Sequence, residues 1–380
     1  MAEIDKFVIA IPQPELDDLG DRLRRVRWPS ERRIASWERG APVDYIKRLV
    51  TYWLESYDWR IWEAKLNEFP QFTTRIDGQA IHFLHVRSSE PSAVPLIITH
   101  GWPGSIVEFM KIIGPLTDPR AYGSDPDAAF HVVAPSVPGF GFSTPLEETG
   151  WNHERIARAW AELMRRLGYD RYGTQGGDTG SIVSPLVARI APERVIGVHI
   201  NGGLEFAAAD AAGAEPLTAS EQRRISAGEH LRQEGTGYAA IQSTRPQTLA
   251  YALSDSPVGQ LAWIIDKFND WTDPSQTLPE DAVDLDQLLT NITLYWLTNS
   301  AGSSAQLYFE VRSEGRAGFQ KSDVPTAFAI FPTDPAVRRI AEQEHNIVRW
   351  SEFTRGGHFA AMEVPDLLVA DIRSFFRALR

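Results

Sequence analysis

Apolar positions recur at helical spacing near the start of the chain, where Leu16, Leu19, Leu23 and Val26 fall on one side of a helix. Arg22, Arg24, Arg25 and Arg27 crowd the opposite side and read as a solvated helix face, since no aromatic residues interleave with them. Two short alternating runs, 73–76 and 81–86, predict a pair of edge strands. From Val94 the beat becomes strand, turn, helix. Strands are predicted at 95–99, 131–135, 171–175 and 194–200, and helices at 105–116 and 181–190. A further helix is capped by Asn152, turns Ile156, Trp160, Leu163 and Leu167 inward, and ends at Gly168. Between about 205 and 318 the alternation disappears into mostly helical sequence, and it resumes with strands at 327–331 and 346–350 and a closing helix at 367–379. Such a pattern predicts an α/β fold, a mostly parallel central sheet with helices on both faces. The expected organisation is an N-terminal segment over 1–90, a core from 91–204 and 319–380, and a helical lid over 205–318.

Composition narrows the function classes. With 43% apolar residues the chain can bury a large interior, yet no run approaches the roughly 18 apolar residues of a membrane span. The first eleven residues lack a basic-then-apolar signal pattern, so a cytoplasmic, unanchored protein is expected. Fifty acids against 38 bases give a net charge of −12, which argues against nucleic acid and anionic membrane as partners. The absence of cysteine excludes disulfides, thiolate metal sites and a cysteine nucleophile. No histidine pair has metal spacing, and no lysine follows the central glycines as in a phosphate loop, so neither metal nor cofactor is expected. Asn291-Ile292-Thr293 matches a glycosylation acceptor and reads as coincidence without a secretion signal.

The chemistry is concentrated at Gly176-Gly177-Asp178-Thr179-Gly180-Ser181, between a predicted strand and a predicted helix. Small residues around a sharp strand-to-helix turn form a nucleophile elbow, here carrying a carboxylate instead of a hydroxyl. A carboxylate attacking an electrophilic carbon leaves an alkyl ester on the protein, which suits strained ethers or carbon–halogen bonds. Hydrolysing that ester needs a base, and His358, in a small-residue loop between the last strand and the last helix, is the candidate. Asp334, after the preceding strand, is the acid expected to orient it. Its rival role is capping a helix at 335–343, and Glu205 is the reserve acid. Oxyanion donors are expected from the N–H of Thr179 and from the loop His100-Gly101-Trp102-Pro103-Gly104-Ser105, through the N–H of Trp102.

These motifs, with Leu23-Arg24-Arg25-Val26-Arg27-Trp28-Pro29, Pro138-Gly139-Phe140-Gly141-Phe142-Ser143 and Gly356-Gly357-His358-Phe359-Ala360-Ala361, stand in the order found in one family. The chain resembles the microsomal-type epoxide hydrolases of the α/β-hydrolase superfamily over nearly its whole length. The resemblance implies an N-terminal region wrapped around the core, addition of water to an epoxide to give a vicinal diol, and no cofactor. It also implies two lid tyrosines that hydrogen-bond the epoxide oxygen, matched here by Tyr238 and Tyr308, with Tyr295 as the competing assignment. One departure is Thr179, where relatives usually carry tryptophan. Another is the lack of the membrane-anchoring N-terminal helix of the animal members. A haloalkane dehalogenase and a ligand receptor on a hydrolase fold are the rival readings, and Thr179 lacks the indole N–H with which such dehalogenases hold halide. Twelve tryptophans and 18 phenylalanines lean toward an aryl-substituted epoxide. A homodimer is compatible with the sequence.

Overall fold

The computed structural model describes residues 3–30, 36–203, 216–312 and 321–380. Among these residues nine strands form: β1 Ile4–Phe7, β2 Gln71–Ile76, β3 Gln79–Val86, β4 Val94–Thr99, β5 Phe130–Pro135, β6 Tyr172–Gly176, β7 Val195–Asn201, β8 Pro325–Ile330 and β9 Asn346–Glu352. They make one sheet in the order β1-β2-β3-β5-β4-β6-β7-β8-β9. All pairs from β5 to β9 are parallel, whereas β1, β2, β3 and β5 pair antiparallel in succession. The α/β fold with a mostly parallel sheet, as expected from the strand-helix beat, is therefore the fold observed.

Two details differ from the sequence reading. The runs at 73–76 and 81–86 do pair, with Thr74 opposite Ile81, but β3 lies inside the sheet and β1 occupies the edge. β1 has only four residues, too few for an alternating pattern to stand out. The first helix spans Gln13–Arg24, so Val26 and the arginines at 25 and 27 lie beyond it. Arg22 is not simply solvated: its guanidinium pairs with Asp18 and also reaches Asp255 at 3.2 Å.

Parallel strands covered on both faces are apolar throughout, and Leu96, Ile97 and Ile98 of β4 are all buried. The helix His153–Arg166 covers one face through Ile156, Trp160 and Leu163. Its N-cap Asn152 accepts the N–H of Arg155 at 3.0 Å, satisfying one orphan donor of the first turn. Trp160 also donates from its indole to Thr99 at 3.1 Å, tying the helix to the carboxyl end of β4. The helix Pro365–Arg377 covers the other face with Phe375 and Phe376.

β7 and β8 are neighbours in the sheet, yet a long helical insertion separates them in sequence. It includes the helices Gly237–Thr244, Pro246–Asp255, Pro257–Trp271, Leu285–Leu297 and Ser300–Val311. The N-terminal helices Gln13–Arg24 and Val43–Glu55 pack against Pro257–Trp271. Tyr45 donates to Glu280 at 2.6 Å and Tyr52 to Asp286 at 2.8 Å, so the N-terminal segment braces the insertion from outside. No helix among the described residues is long and apolar enough to cross a membrane.

Candidate active site

Asp178 sits between β6 and the helix Thr179–Ile190 with φ 53° and ψ −122°, a conformation that costs an ordinary L-residue on the order of 1–3 kcal/mol. Glycine makes the bend feasible: a methyl group on Gly180 would lie 2.1 Å from the Thr99 carbonyl oxygen, and one on Gly101 would lie 2.0 Å from Asp178 Oδ1. The two carboxylate oxygens have different surroundings. Oδ1 accepts the Trp102 N–H at 3.0 Å, the Thr179 N–H at 2.7 Å and the Thr179 hydroxyl at 3.2 Å. Oδ2 has no hydrogen bond among the described residues and lies 3.5 Å from His358 Nε2. Burial disfavours the charged carboxylate, but His358 and the N–H groups of Trp102 and Thr179 outweigh it and hold the Asp178 pKa below its usual value. An ionised carboxylate is thus presented with one oxygen restrained and the other open to attack carbon.

The loop that supplies Trp102 is itself held in place. Asn291 donates to the Pro103 carbonyl at 2.8 Å and accepts the Ser105 hydroxyl at 2.7 Å, while Tyr295 donates to the Gly104 carbonyl at 2.7 Å. Asn291 is fully buried, so its glycosylation motif is a packing residue in disguise. The Tyr295 hydroxyl is committed to the loop. His100 plays a similar part, its Nε2 accepting the Val137 N–H at 3.2 Å.

His358 lies in the loop after β9, and both peptides flanking it are tied down. Its own N–H donates to the Trp271 carbonyl at 2.8 Å, and the next N–H, of Phe359, donates to Glu363 at 3.0 Å. Glu363 also accepts the Asp273 N–H at 2.8 Å, and Asp273 accepts the Gly356 N–H at 2.6 Å. Phe359 stacks on Phe268 with ring centroids 4.0 Å apart, worth about 1 kcal/mol beyond area burial. The end of helix Pro257–Trp271 therefore grips the histidine loop. Burial works against the imidazolium, but Asp178 first, then Asp334, outweigh it and raise the His358 pKa.

Asp334 lies after β8 and shares with His358 the lining of a cavity of about 50 Å³. Burial raises its pKa to about 6, offset in part by the N–H of Phe331, the charge of His358 and the N–H groups of Gly203 and Gly202. The helix-cap alternative is excluded, because the next helix is Arg338–Ala341 with Val337 as its cap. Asp334 instead accepts the Phe331 N–H at 3.0 Å. Glu205 lies outside the described residues.

Glu108 was not anticipated from the sequence. It lines a small cavity with Asp178 and His358, and burial pushes its carboxyl up to about 8, so it is mostly neutral at pH 7. An acid inside the apolar run Ile106-Val107-Glu108-Phe109 was the available signal. Among the described residues no cluster of His, Asp or Glu could hold a metal ion.

From the insertion, Tyr238 and Tyr308 approach the same place with ring centroids 5.8 Å apart at 79°. Trp102 stacks on Tyr238 at 4.9 Å and meets Tyr308 edge-on at 5.9 Å, so the two phenols are packed directly on the loop that donates to Asp178. Burial raises both phenol pKa values, with the Asp178 charge adding to it, and keeps them as protonated donors at neutral pH. Asp178, His358, Asp334, Tyr238, Tyr308 and the N–H groups of Trp102 and Thr179 are thus brought together.

A family profile described as "Epoxide hydrolase N terminus" matches residues 4–109, and one described as "alpha/beta hydrolase fold" matches 94–275. A protein of Stigmatella aurantiaca that carries a provisional epoxide hydrolase name is 46% identical over 99% of this chain and 86% of its own length. "Epoxide hydrolase 1" of Sus scrofa is 36% identical over 99% of this chain and 89% of its own. The solved epoxide hydrolase of Aspergillus niger superposes with a TM-score of 0.88 at 33% identity, covering 100% of this chain and 97% of that one. Fold, motifs and relatives agree, and the chain belongs to the epoxide hydrolases of the α/β-hydrolase superfamily.

Proposed function

We propose that this epoxide hydrolase opens its substrate through a covalent ester on Asp178. The observation that carries the reading is the asymmetry of that carboxylate, with Oδ1 held by three donors and Oδ2 left free beside His358. Oδ2 attacks a ring carbon from the side opposite the oxygen. Tyr238 and Tyr308 donate hydrogen bonds to the oxygen as the carbon–oxygen bond breaks, help worth about 10² to 10⁴ in rate. Asp178 then carries an alkyl ester whose carbonyl oxygen is Oδ1. His358, aided by the negative charge of Asp334, takes a proton from water, and the resulting hydroxide attacks the ester carbon. The tetrahedral oxyanion on Oδ1 is held by the N–H groups of Trp102 and Thr179. Collapse breaks the bond from the ester carbon to the diol oxygen, which takes the proton from His358, and the acid proton left on Asp178 passes to the former epoxide oxygen, so that the diol leaves neutral and the carboxylate returns.

Aromatic rings surround this place: Trp102, Tyr238, Trp271 and Tyr308 contact one another. They support an aryl-substituted epoxide as substrate, recognised by ring stacking. The paired phenols suit an oxygen leaving group, and nothing favours halide loss or simple binding. A cytoplasmic location and a homodimer are proposals of the same standing, checked by cell fractionation and light scattering. The route is tested with His358→Gln and styrene oxide. The expected result is a stable protein adduct of one substrate mass on the peptide containing Asp178, detected by mass spectrometry. An unmodified protein, with wild type turning the same epoxide over, contradicts it.

A further inference from the structure

Thr179 directly follows Asp178 in the chain, and it touches the Asp178 carboxylate twice. Its N–H reaches Oδ1 at 2.7 Å and its hydroxyl reaches the same oxygen at 3.2 Å, with the Trp102 N–H as the remaining contact at 3.0 Å. We propose that the Thr179 hydroxyl is a third oxyanion donor that works in the second half-reaction, the hydrolysis of the Asp178 ester. The inference rests on the covalent route above and assigns its second step one more donor.

A hydroxyl can donate or accept, but an ionised carboxylate oxygen only accepts, so the Thr179 hydroxyl is the donor in this pair. Both residues are buried, at 4% exposure each, and bulk water does not dilute the contact. The threonine backbone is fixed by the first turn of the helix Thr179–Ile190, and a β-branched side chain has few χ1 choices there. The hydroxyl is therefore aimed at Oδ1 before the reaction starts, as an oxyanion donor has to be.

Charge on Oδ1 changes during the cycle in a way that decides which step feels the contact. In the free protein Oδ1 shares the carboxylate charge. Attack by Oδ2 on the epoxide transfers that charge to the departing epoxide oxygen and leaves Oδ1 as a neutral ester carbonyl, so a donor on Oδ1 gives no help to ester formation. Hydroxide, made when His358 accepts a proton from water, then adds to the ester carbon and the carbonyl electron pair moves onto Oδ1. There the hydroxyl meets a full negative charge, and the bond strengthens on the way to the transition state. The pair returns to re-form the carbonyl as the bond from carbon to the diol oxygen breaks, His358 gives its proton to that oxygen, and the acid proton left on Asp178 goes to the former epoxide oxygen, which restores the carboxylate. Threonine keeps its own proton throughout.

The test uses the full chain with Thr179→Val, which keeps the shape and removes the hydroxyl, and Thr179→Ser, which keeps the hydroxyl. Rapid-quench mass spectrometry with styrene oxide follows formation and decay of the ester. The expected result for Thr179→Val is ester formation within about twofold of wild type, ester hydrolysis slowed by about tenfold, and accumulated adduct, whereas Thr179→Ser hydrolyses the ester within about threefold of wild type. A second reading does not depend on rates. In a His358→Gln background the trapped ester carbonyl stretch is expected to move to higher frequency with Thr179→Val or Thr179→Ala and to stay put with Thr179→Ser. Ester decay at the wild-type rate in Thr179→Val, equal slowing in Thr179→Ser, or an unmoved carbonyl stretch overturns the inference. A wild type that turns over epoxide with no ester at any time removes the covalent route itself, and this inference with it.

Discussion

On the sheet side of the site, Asp178, His358 and Asp334 each stand in a loop at the carboxyl end of a parallel strand, β6, β9 and β8. On the insertion side, Tyr238 and Tyr308 stand on the helices Gly237–Thr244 and Ser300–Val311. The sheet side is positioned by main chain. Two of the three donors to Asp178 Oδ1 are peptide N–H groups, and His358 is fixed through the N–H groups on either side of it. The insertion side is positioned by rings, with Trp102 stacked on Tyr238 and edge-on to Tyr308. Backbone geometry leaves little freedom to evolve, whereas ring packing can be rearranged one side chain at a time. In the proposed route the nucleophile Asp178 serves both steps, and the contrast predicts that the remaining sheet-side groups control ester hydrolysis while the two phenols control ring opening.

Removing the nucleophile tests the sheet side hardest. Asp178→Ala is expected to lower diol formation by about 10⁴-fold or more, followed by chromatography of the diol, with no adduct at any time. Asp334→Asn is expected to slow ester hydrolysis by about 10²- to 10⁴-fold while ester formation proceeds. It also carries a pH signature. His358 acts as a neutral base, and Asp334 helps raise its pKa, so losing that charge moves the acid limb of ester hydrolysis to lower pH. A limb that stays in place or moves up denies Asp334 its electrostatic role.

The insertion side is predicted to respond in the opposite step. Tyr238→Phe and Tyr308→Phe are each expected to slow ester formation by about 10- to 100-fold and to leave ester hydrolysis unchanged. If either variant accumulates ester, the assignment of the two walls to separate steps is wrong. The smallest effect is structural. Asn291→Ala orphans the Pro103 carbonyl and the Ser105 hydroxyl and is expected to cost about 1–3 kcal/mol in urea unfolding.

The same contrast governs what the sequence reveals. Asp178 was legible because a carboxylate among glycines at a strand end is written locally, in four or five adjacent residues. His358 and Trp102 were legible for the same reason, and the strand-helix beat carried the core sheet. Asp334 was ambiguous, since an acid before proline is also a helix start, and only the position of helix Arg338–Ala341 separates the two. Tyr238 and Tyr308 look like any helical tyrosines, and the family resemblance had to point to them. Glu108 escaped because its burial comes from tertiary packing against Gly104 and the histidine loop. The second contact from Thr179 escaped too, since a side-chain rotamer has no signature in one sequence.

The most direct test of the covalent route is a single turnover of excess enzyme with styrene oxide in heavy-oxygen water, with mass analysis of the diol and of the peptide containing Asp178. The account predicts an unlabelled diol, because its new oxygen comes from the Asp178 carboxylate, and label in Asp178 once the ester has been hydrolysed. Label in the diol with none in Asp178 would mean that water attacks the epoxide directly, contradicting the ester and the roles built on it.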